Sequence, residues 1–217
     1  MTHRPVLRLF AFRPRVAGAE LDAHLREDLV PAMLELAGLR EVWVGRRGID
    51  DVTERLVVSI WESRDALIGA GAGPDARGAL GVERDRAVEQ PNLDVLDIAV
   101  DLRFDRPEPA RVVRVYHGQV REGELDGYVE DARSGTLEDV AASRGPVRLY
   151  LAPRPPDAFV TVSVWADWAV VEAATGGNIA NPVATRHRER LVRGSATHYE
   201  VLPNALERNV REATRIV

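Results

Sequence analysis

Apolar residues fall into short runs broken by polar, glycine- and proline-containing stretches. Their spacing switches between strand and helix periods. Val6–Phe12 is rich in aliphatic and aromatic residues and predicts a strand. Arg13–Gly18 reads as a loop. Leu21, Leu25, Leu29, Met33 and Leu36 recur three to four positions apart, which predicts an amphipathic helix over Glu20–Leu36. Pro31 kinks that helix or splits it into two turns, and Gly38 is its stop. Glu41–Gly45 and Leu56–Trp61 predict two strands around a polar turn, Arg46–Thr53. Ser63 is placed to cap a helix through Ala66, Leu67 and Ile68. A short helix is expected within Ala76–Glu89 and a strand over Leu93–Leu102. The order is β-α-β-β-α-β.

The second half predicts that order again. Val112–Val120 is a strand and Glu124–Ala142 a helix, weakened by Gly127 and Gly135. Val147–Leu151 is a strand stopped by Pro153, Pro155 and Pro156, and Phe159–Trp165 is the next. Asp167–Ala174 and Ala184–Val192 read as helices and Thr197–Leu202 as the last strand. The tail, Pro203–Val217, carries Leu206, Val210 and Ala213 at helical spacing.

The two halves match residue by residue. LVVSIWES at Leu56–Ser63 corresponds to FVTVSVWAD at Phe159–Asp167, and Trp61 and Trp165 stand 104 positions apart. Glu20-Leu21-Asp22 matches Glu124-Leu125-Asp126 at the same offset. Arg8-Leu9-Phe10 matches Arg114-Val115-Tyr116, and Trp43 matches Tyr150. The expected organisation is therefore a first repeat over residues 1–103, a proline-containing linker over 104–110, a second repeat over 111–202 and a tail over 203–217. Each β-α-β-β-α-β unit is a ferredoxin-like split β-α-β, so the expected class is α+β. One sheet face goes under the helices, and the other apolar face needs a partner. That predicts two repeats packed sheet to sheet as an intrachain α/β barrel.

Composition narrows the chemistry. The net charge of −5 argues against general binding to nucleic acid or an anionic membrane. There is no cysteine and no lysine among 217 residues, which removes disulfides, thiolate nucleophiles and lysine Schiff bases. No stretch approaches the roughly 18 apolar residues of a membrane span, and the first residues lack a signal-peptide run, so the expectation is a cytoplasmic protein. The five histidines are scattered, without metal-ligand spacing. Neither glycine-rich stretch, Gly69–Gly73 or Gly176–Asn178, has the context of a phosphate loop.

Strand alternation sorts the side chains into faces. Leu7, Leu9, Val58 and Ile60, with Val113, Val115, Val162 and Val164, are assigned to the helix side. The far face then carries Arg8, Phe10, Phe12, Glu41, Trp43, Ser59 and Trp61 in the first half. In the second half it carries Arg114, Tyr116, Arg148, Tyr150, Ser163 and Trp165. Aromatic walls with sparse polar groups suit a small-molecule site. The expected ligand-binding set is Arg8, Phe10, Trp43, Trp61, Arg114, Tyr116, Tyr150 and Trp165.

The doubled β-α-β-β-α-β order, with a third strand reading VSxW before a helix, resembles the dimeric α/β-barrel superfamily. Within it the chain looks most like the antibiotic-biosynthesis-monooxygenase (ABM) group, with two units fused. The resemblance covers the chain except the linker and tail. It implies oxygenation of a small aromatic, polyketide- or quinol-like substrate inside the barrel. It also implies no cofactor, because in some members the substrate anion itself reduces oxygen in a dry pocket. Trp61 and Trp165 match the family's pocket tryptophan. The quinone-forming members place an asparagine four residues earlier, where this chain has Val57 and Thr161. The haem-degrading members need a histidine about ten residues later, where it has Gly71 and Thr175. They also need an asparagine on the first strand, which neither first strand has.

Catalytic candidates are Trp61, Trp165, Tyr116 and His117, and each has an ordinary reading beside the functional one. The tryptophans are packing residues or catalytic groups, and pocket walls in either case. Arg8 and Arg114 anchor an anionic ligand, pair with Glu41 across the barrel, or snorkel to its mouth. His117 is an acid or base near neutral pH, or a satisfied histidine facing the helices. Two function classes stand: an ABM-like cofactor-independent monooxygenase, and a non-catalytic barrel that binds a small hydrophobic ligand or is structural. The expected partner is a small aromatic molecule, with no nucleic acid or membrane, and a homodimer of the fused chain is left open.

Overall fold

A computed structural model describes residues 4–14, 18–49, 52–72, 89–104, 109–141, 145–183 and 188–202. The fold is α+β and ferredoxin-like, with long antiparallel ladders and few helices. The chain divides into two compact units. One holds the residues up to Asp97 and the segment from Tyr199, the other Ile98–His198.

In the first unit β1 (Val6–Arg13) leads into one helical run made of three pieces. These are α1 (Gly18–His24), a π-helical turn over Leu25–Leu29, and α2 (Val30–Leu34). Pro31 is the physical cause of the middle piece. It has no N–H and its ring crowds the carbonyl four residues back, and the widened turn sits just before it, with Val30 N–H donating to Leu25 O. Gly38, at φ 79°, then takes the left-handed conformation that ends the run. β2 (Leu39–Ile49) and β3 (Val52–Trp61) form a hairpin. Ser63 caps α3 (Arg64–Gly69) by accepting from Ala66 N–H, as expected. β4 (Glu89–Asp97) completes the order β4-β1-β3-β2, and Tyr199–Val201 adds to the outer edge of β2.

The second unit holds β5 (Val100–Arg103), β6 (Val112–Val120), α4 (Leu125–Ala141), β7 (Arg148–Arg154), β8 (Ala158–Trp165), α5 (Trp168–Ala174), a 3-10 turn at Arg188–Arg190, and β9 (Leu191–Val201), whose last residues are those on the edge of β2. Its strand order is β9-β6-β8-β7-β5. Asp167 caps α5 by accepting from Val170 N–H.

Several expectations change. The polar turn at Arg46–Thr53 is mostly strand. Its charged residues face one another across the hairpin, Arg47 opposite Glu54 and Arg46 opposite Arg55, so polarity there marks cross-strand pairing. The strand expected over Leu93–Leu102 is two, β4 and β5, separated at Ile98 and Ala99. β7 runs through Pro153 to Arg154, with Pro153 opposite Phe159 near the ladder's end. The helix expected over Ala184–Val192 is strand from Leu191, after the 3-10 turn. The helix expected within Ala76–Glu89, most of the linker and the tail from Pro203 lie outside the described residues.

The main correction concerns the faces. Val6, Phe10 and Phe12 of β1, Val42 and Val44 of β2, and Val57 and Trp61 of β3 pack with Leu21, Leu25, Leu29, Met33 and Leu67 of the helices. In the second unit Tyr116 and Phe159 pack with Leu125 and Val129 of α4, and Trp165 packs with Val170 and Val171 of α5. On β1, β3, β6 and β8 the helix side is therefore the face expected to line the barrel interior, whereas Trp43 on β2 and Tyr150 on β7 lie on the face away from the helices. Leu7, Leu9, Val58 and Ile60 lie on the other face and are buried as well. Among the described residues, no helix is long and apolar enough to cross a membrane.

Candidate functional site

In the first unit a polar group sits within the helix-covered core. Arg8 on β1 lies opposite Ser59 on β3, and both share their face with Val6, Phe10 and Trp61. Antiparallel pairing of these strands fixes the register, so one shifted residue would exchange the whole set for its neighbours. Trp61 donates Nε1–H to Ser59 Oγ at 2.9 Å. Arg8 is 1% exposed and its guanidinium carbon lies 5.2 Å from the Phe10 ring centre, a cation–π distance. Among the described residues its Nε and Nη1 are buried with no hydrogen-bond partner. Burial pushes its pKa down from the ordinary arginine value to about 10, which leaves it a cation at neutral pH.

The second unit carries the same set. Arg114 on β6 lies opposite Ser163 on β8, and Trp165 donates Nε1–H to Ser163 Oγ at 2.8 Å. Arg114 stacks over Tyr116 at 5.0 Å. Burial lowers its pKa to about 10, and neighbouring Tyr116 opposes that shift. Here the guanidinium has a hydrogen-bond partner, since Nη2 donates to the Asn181 carbonyl at 2.6 Å. The turn presenting that carbonyl is held by Asn181 N–H to Asn178 O and by Asn181 Nδ2 to Thr175 O.

The residues expected to line one cavity thus divide by face. Arg8, Phe10 and Trp61 come together under the first unit's helices, and Arg114, Tyr116 and Trp165 under the second's. Trp43 pairs with Val58 and lies on the opposite face from Trp61. Tyr150 pairs with Val162 and lies opposite to Tyr116. The regular β2–β3 hairpin register puts Glu41 beside Ile60, on the opposite face from Arg8, with which it is expected to pair. His117 pairs with Val160 and points away from the helices, the reverse of its expected direction.

Ser59, Ser163 and Asn181 were not singled out as site residues. The serines were detectable in principle: in VSxW a serine two positions before the tryptophan shares its face and can accept the indole N–H. Asn181 acts through its backbone, which leaves no side-chain signal. Each set offers a cation and a hydroxyl inside an aromatic wall, suited to holding an anion in a dry site. Among the described residues no cluster of three or more histidines and carboxylates is placed to hold a metal.

Neither a family model nor a curated protein sequence matches this chain. Solved structures do. A candidate monooxygenase from Fusobacterium nucleatum superposes with a TM-score of 0.68 at 15% identity, over 93% of this chain and 94% of its own. A candidate monooxygenase from Lactobacillus acidophilus gives 0.66 at 10% identity, over 91% and 93%. An anthrone oxidase-like protein gives 0.56 at 16% identity, over 91% of each chain. At such identities the likeness establishes a shared fold.

Proposed function

We propose that this chain is an ABM-like monooxygenase that oxidises a small aromatic, polyketide- or quinol-like substrate without a cofactor. In this reading it is a cytoplasmic protein built as two tandem ferredoxin-like repeats. The observation that carries the reading is the buried Arg–Ser–Trp set on a helix-covered sheet face, with Arg8, Ser59 and Trp61 in the first unit. The fold it shares with candidate monooxygenases and an anthrone oxidase-like protein supports it.

The chemistry asks little of the protein. An acidic anthrone or hydroquinone enters as its enolate or phenolate and passes one electron to O2. The resulting radical pair combines to a peroxide anion, which takes back the proton that the substrate gave up and loses water, leaving the quinone from an anthrone and a hydroxyquinone from a hydroquinone. One oxygen atom of O2 ends in the product and the other in water in the anthrone case. The protein's part is to stabilise the substrate anion and to exclude bulk water. A buried arginine does the first, and the aromatic walls do the second. Trp61 serves as a wall, because its N–H is already given to Ser59.

The same observation also favours a second reading. Indole groups bonded within their own strand are what a non-catalytic ligand-binding or structural barrel would show. Oxygen uptake by the full chain, with a panel of anthrones and hydroquinones, separates the two. Uptake above the buffer blank with quinone formation is the expected result. No uptake across the panel overturns the oxygenase reading in favour of the second.

A further inference from the structure

The two Arg–Ser–Trp sets share register, burial and ring stacking, and they differ at the guanidinium. Arg114 gives Nη2 to the Asn181 carbonyl, a charge-assisted bond supplied by the unit's own fold. Arg8 is buried as deeply, yet among the described residues both its Nε and its Nη1 are buried without a partner, whereas in Arg114 only Nε is. Buried polar groups in folded proteins are nearly always bonded, and a buried charge left unpaired costs the most. The Phe10 ring offsets part of that cost for Arg8 but accepts no conventional hydrogen bond.

We propose that the first unit holds this protein's ligand site, in which Arg8 takes the negatively charged oxygen of an aromatic anion, and that the matching set around Arg114 is structural. The ligand class is an arene carrying a phenolate, enolate or carboxylate oxygen. The anion supplies what the Asn181 carbonyl supplies in the second unit: an acceptor facing the guanidinium. Trp61, on the same sheet face, forms part of the aromatic wall, and the Ser59 hydroxyl keeps its own hydrogen to donate. This deepens the oxygenase reading and rests on it for the aromatic nature of the ligand, whereas the anion site itself requires no turnover.

The test is calorimetric titration of the full chain at neutral pH with 1-hydroxy-2-naphthoate and with its neutral amide. The unaltered chain should bind one naphthoate, at least about tenfold more tightly than the amide, a difference of about 1.4 kcal/mol. Arg8→Gln should abolish that preference, and Arg114→Gln should keep it. Arg8→Lys retains the charge, and its partial recovery is the control should Arg8→Gln fold poorly. Two naphthoates per chain, a preference lost in Arg114→Gln but kept in Arg8→Gln, or no preference in the unaltered chain each overturn the proposal. Naphthoate bound through Arg8, with no oxygen uptake from any substrate, leaves this site standing and removes the oxygenase reading. Oxygen uptake whose KM and kcat are unchanged in Arg8→Gln does the reverse.

Discussion

Trp61 hands its indole N–H to the hydroxyl of Ser59, two residues back on the same strand, at 2.9 Å and out of contact with solvent. Trp165 and Ser163 repeat the bond at 2.8 Å. The VSxW pattern thus has a physical reason. A buried indole needs an acceptor, and the nearest position on its own face of a strand is two residues away.

Replacing Ser59 with Ala should therefore strand a buried donor. The expected cost is about 1–3 kcal/mol, read from urea denaturation. Trp61→Phe removes the donor together with some packing. In the double variant the serine loss should then cost less, with a coupling energy of about 1 kcal/mol. Strict additivity would mean that the bond contributes nothing.

The two arginines should respond to removal in opposite ways. Arg114→Met gives up a charge-assisted bond and leaves the Asn181 carbonyl without its donor, so a loss of about 1.5–3 kcal/mol is expected. Arg8→Met replaces a buried cation that has two unpartnered nitrogens by an apolar chain of similar reach, and should be neutral or stabilising by about 1 kcal/mol without ligand. Thermal denaturation of both variants in the same buffer checks the sign. A large destabilisation by Arg8→Met would show that the guanidinium is satisfied in the free protein.

A third buried arginine is fully engaged. Arg55, 2% exposed, donates Nε to Asp22 Oδ1 at 2.6 Å, which ties β3 to α1. Asp22→Ala would leave that cation unpaired, with an expected cost of about 3–5 kcal/mol in chemical denaturation. The neighbouring Arg46, half-exposed and 3.5 Å from Asp22, should matter far less, with Arg46→Ala within about 1 kcal/mol.

Gly118 tests packing in the second unit. A Cβ there would lie 2.2 Å from Cζ of Phe159. That ring is buried, with the Tyr128 ring 4.6 Å away and the Tyr116 ring 6.0 Å away, so it has little room to yield. Gly118→Ala should destabilise by about 1–3 kcal/mol, measured by urea denaturation. Gly123, where an added Cβ meets nothing within 4 Å, is the contrast for crowding, although its φ of 78° adds backbone strain of its own.

What the sequence determined by itself was periodic and local. The strand runs, the Leu21–Met33 stripe, the Ser63 cap and the VSxW correspondence all follow from spacing and from side chains acting within a few residues. Alternation also grouped Arg8 with Phe10 and Trp61, because side chains two apart on a strand share a face whatever lies above it. It could not say which face the helices cover. Both faces are apolar and buried, so the pattern reads the same either way up, and the expected assignment is inverted on β1, β3, β6 and β8. Tertiary structure decided that point, since long-range packing brings Leu25 and Met33 onto the face of Trp61. It also put Trp43 on the opposite face, because the regular β2–β3 hairpin register sets it beside Val58. The difference between Arg8 and Arg114 is tertiary as well. Two residues with nearly the same neighbours on their strands are separated by one backbone carbonyl 67 positions further along the chain, at Asn181.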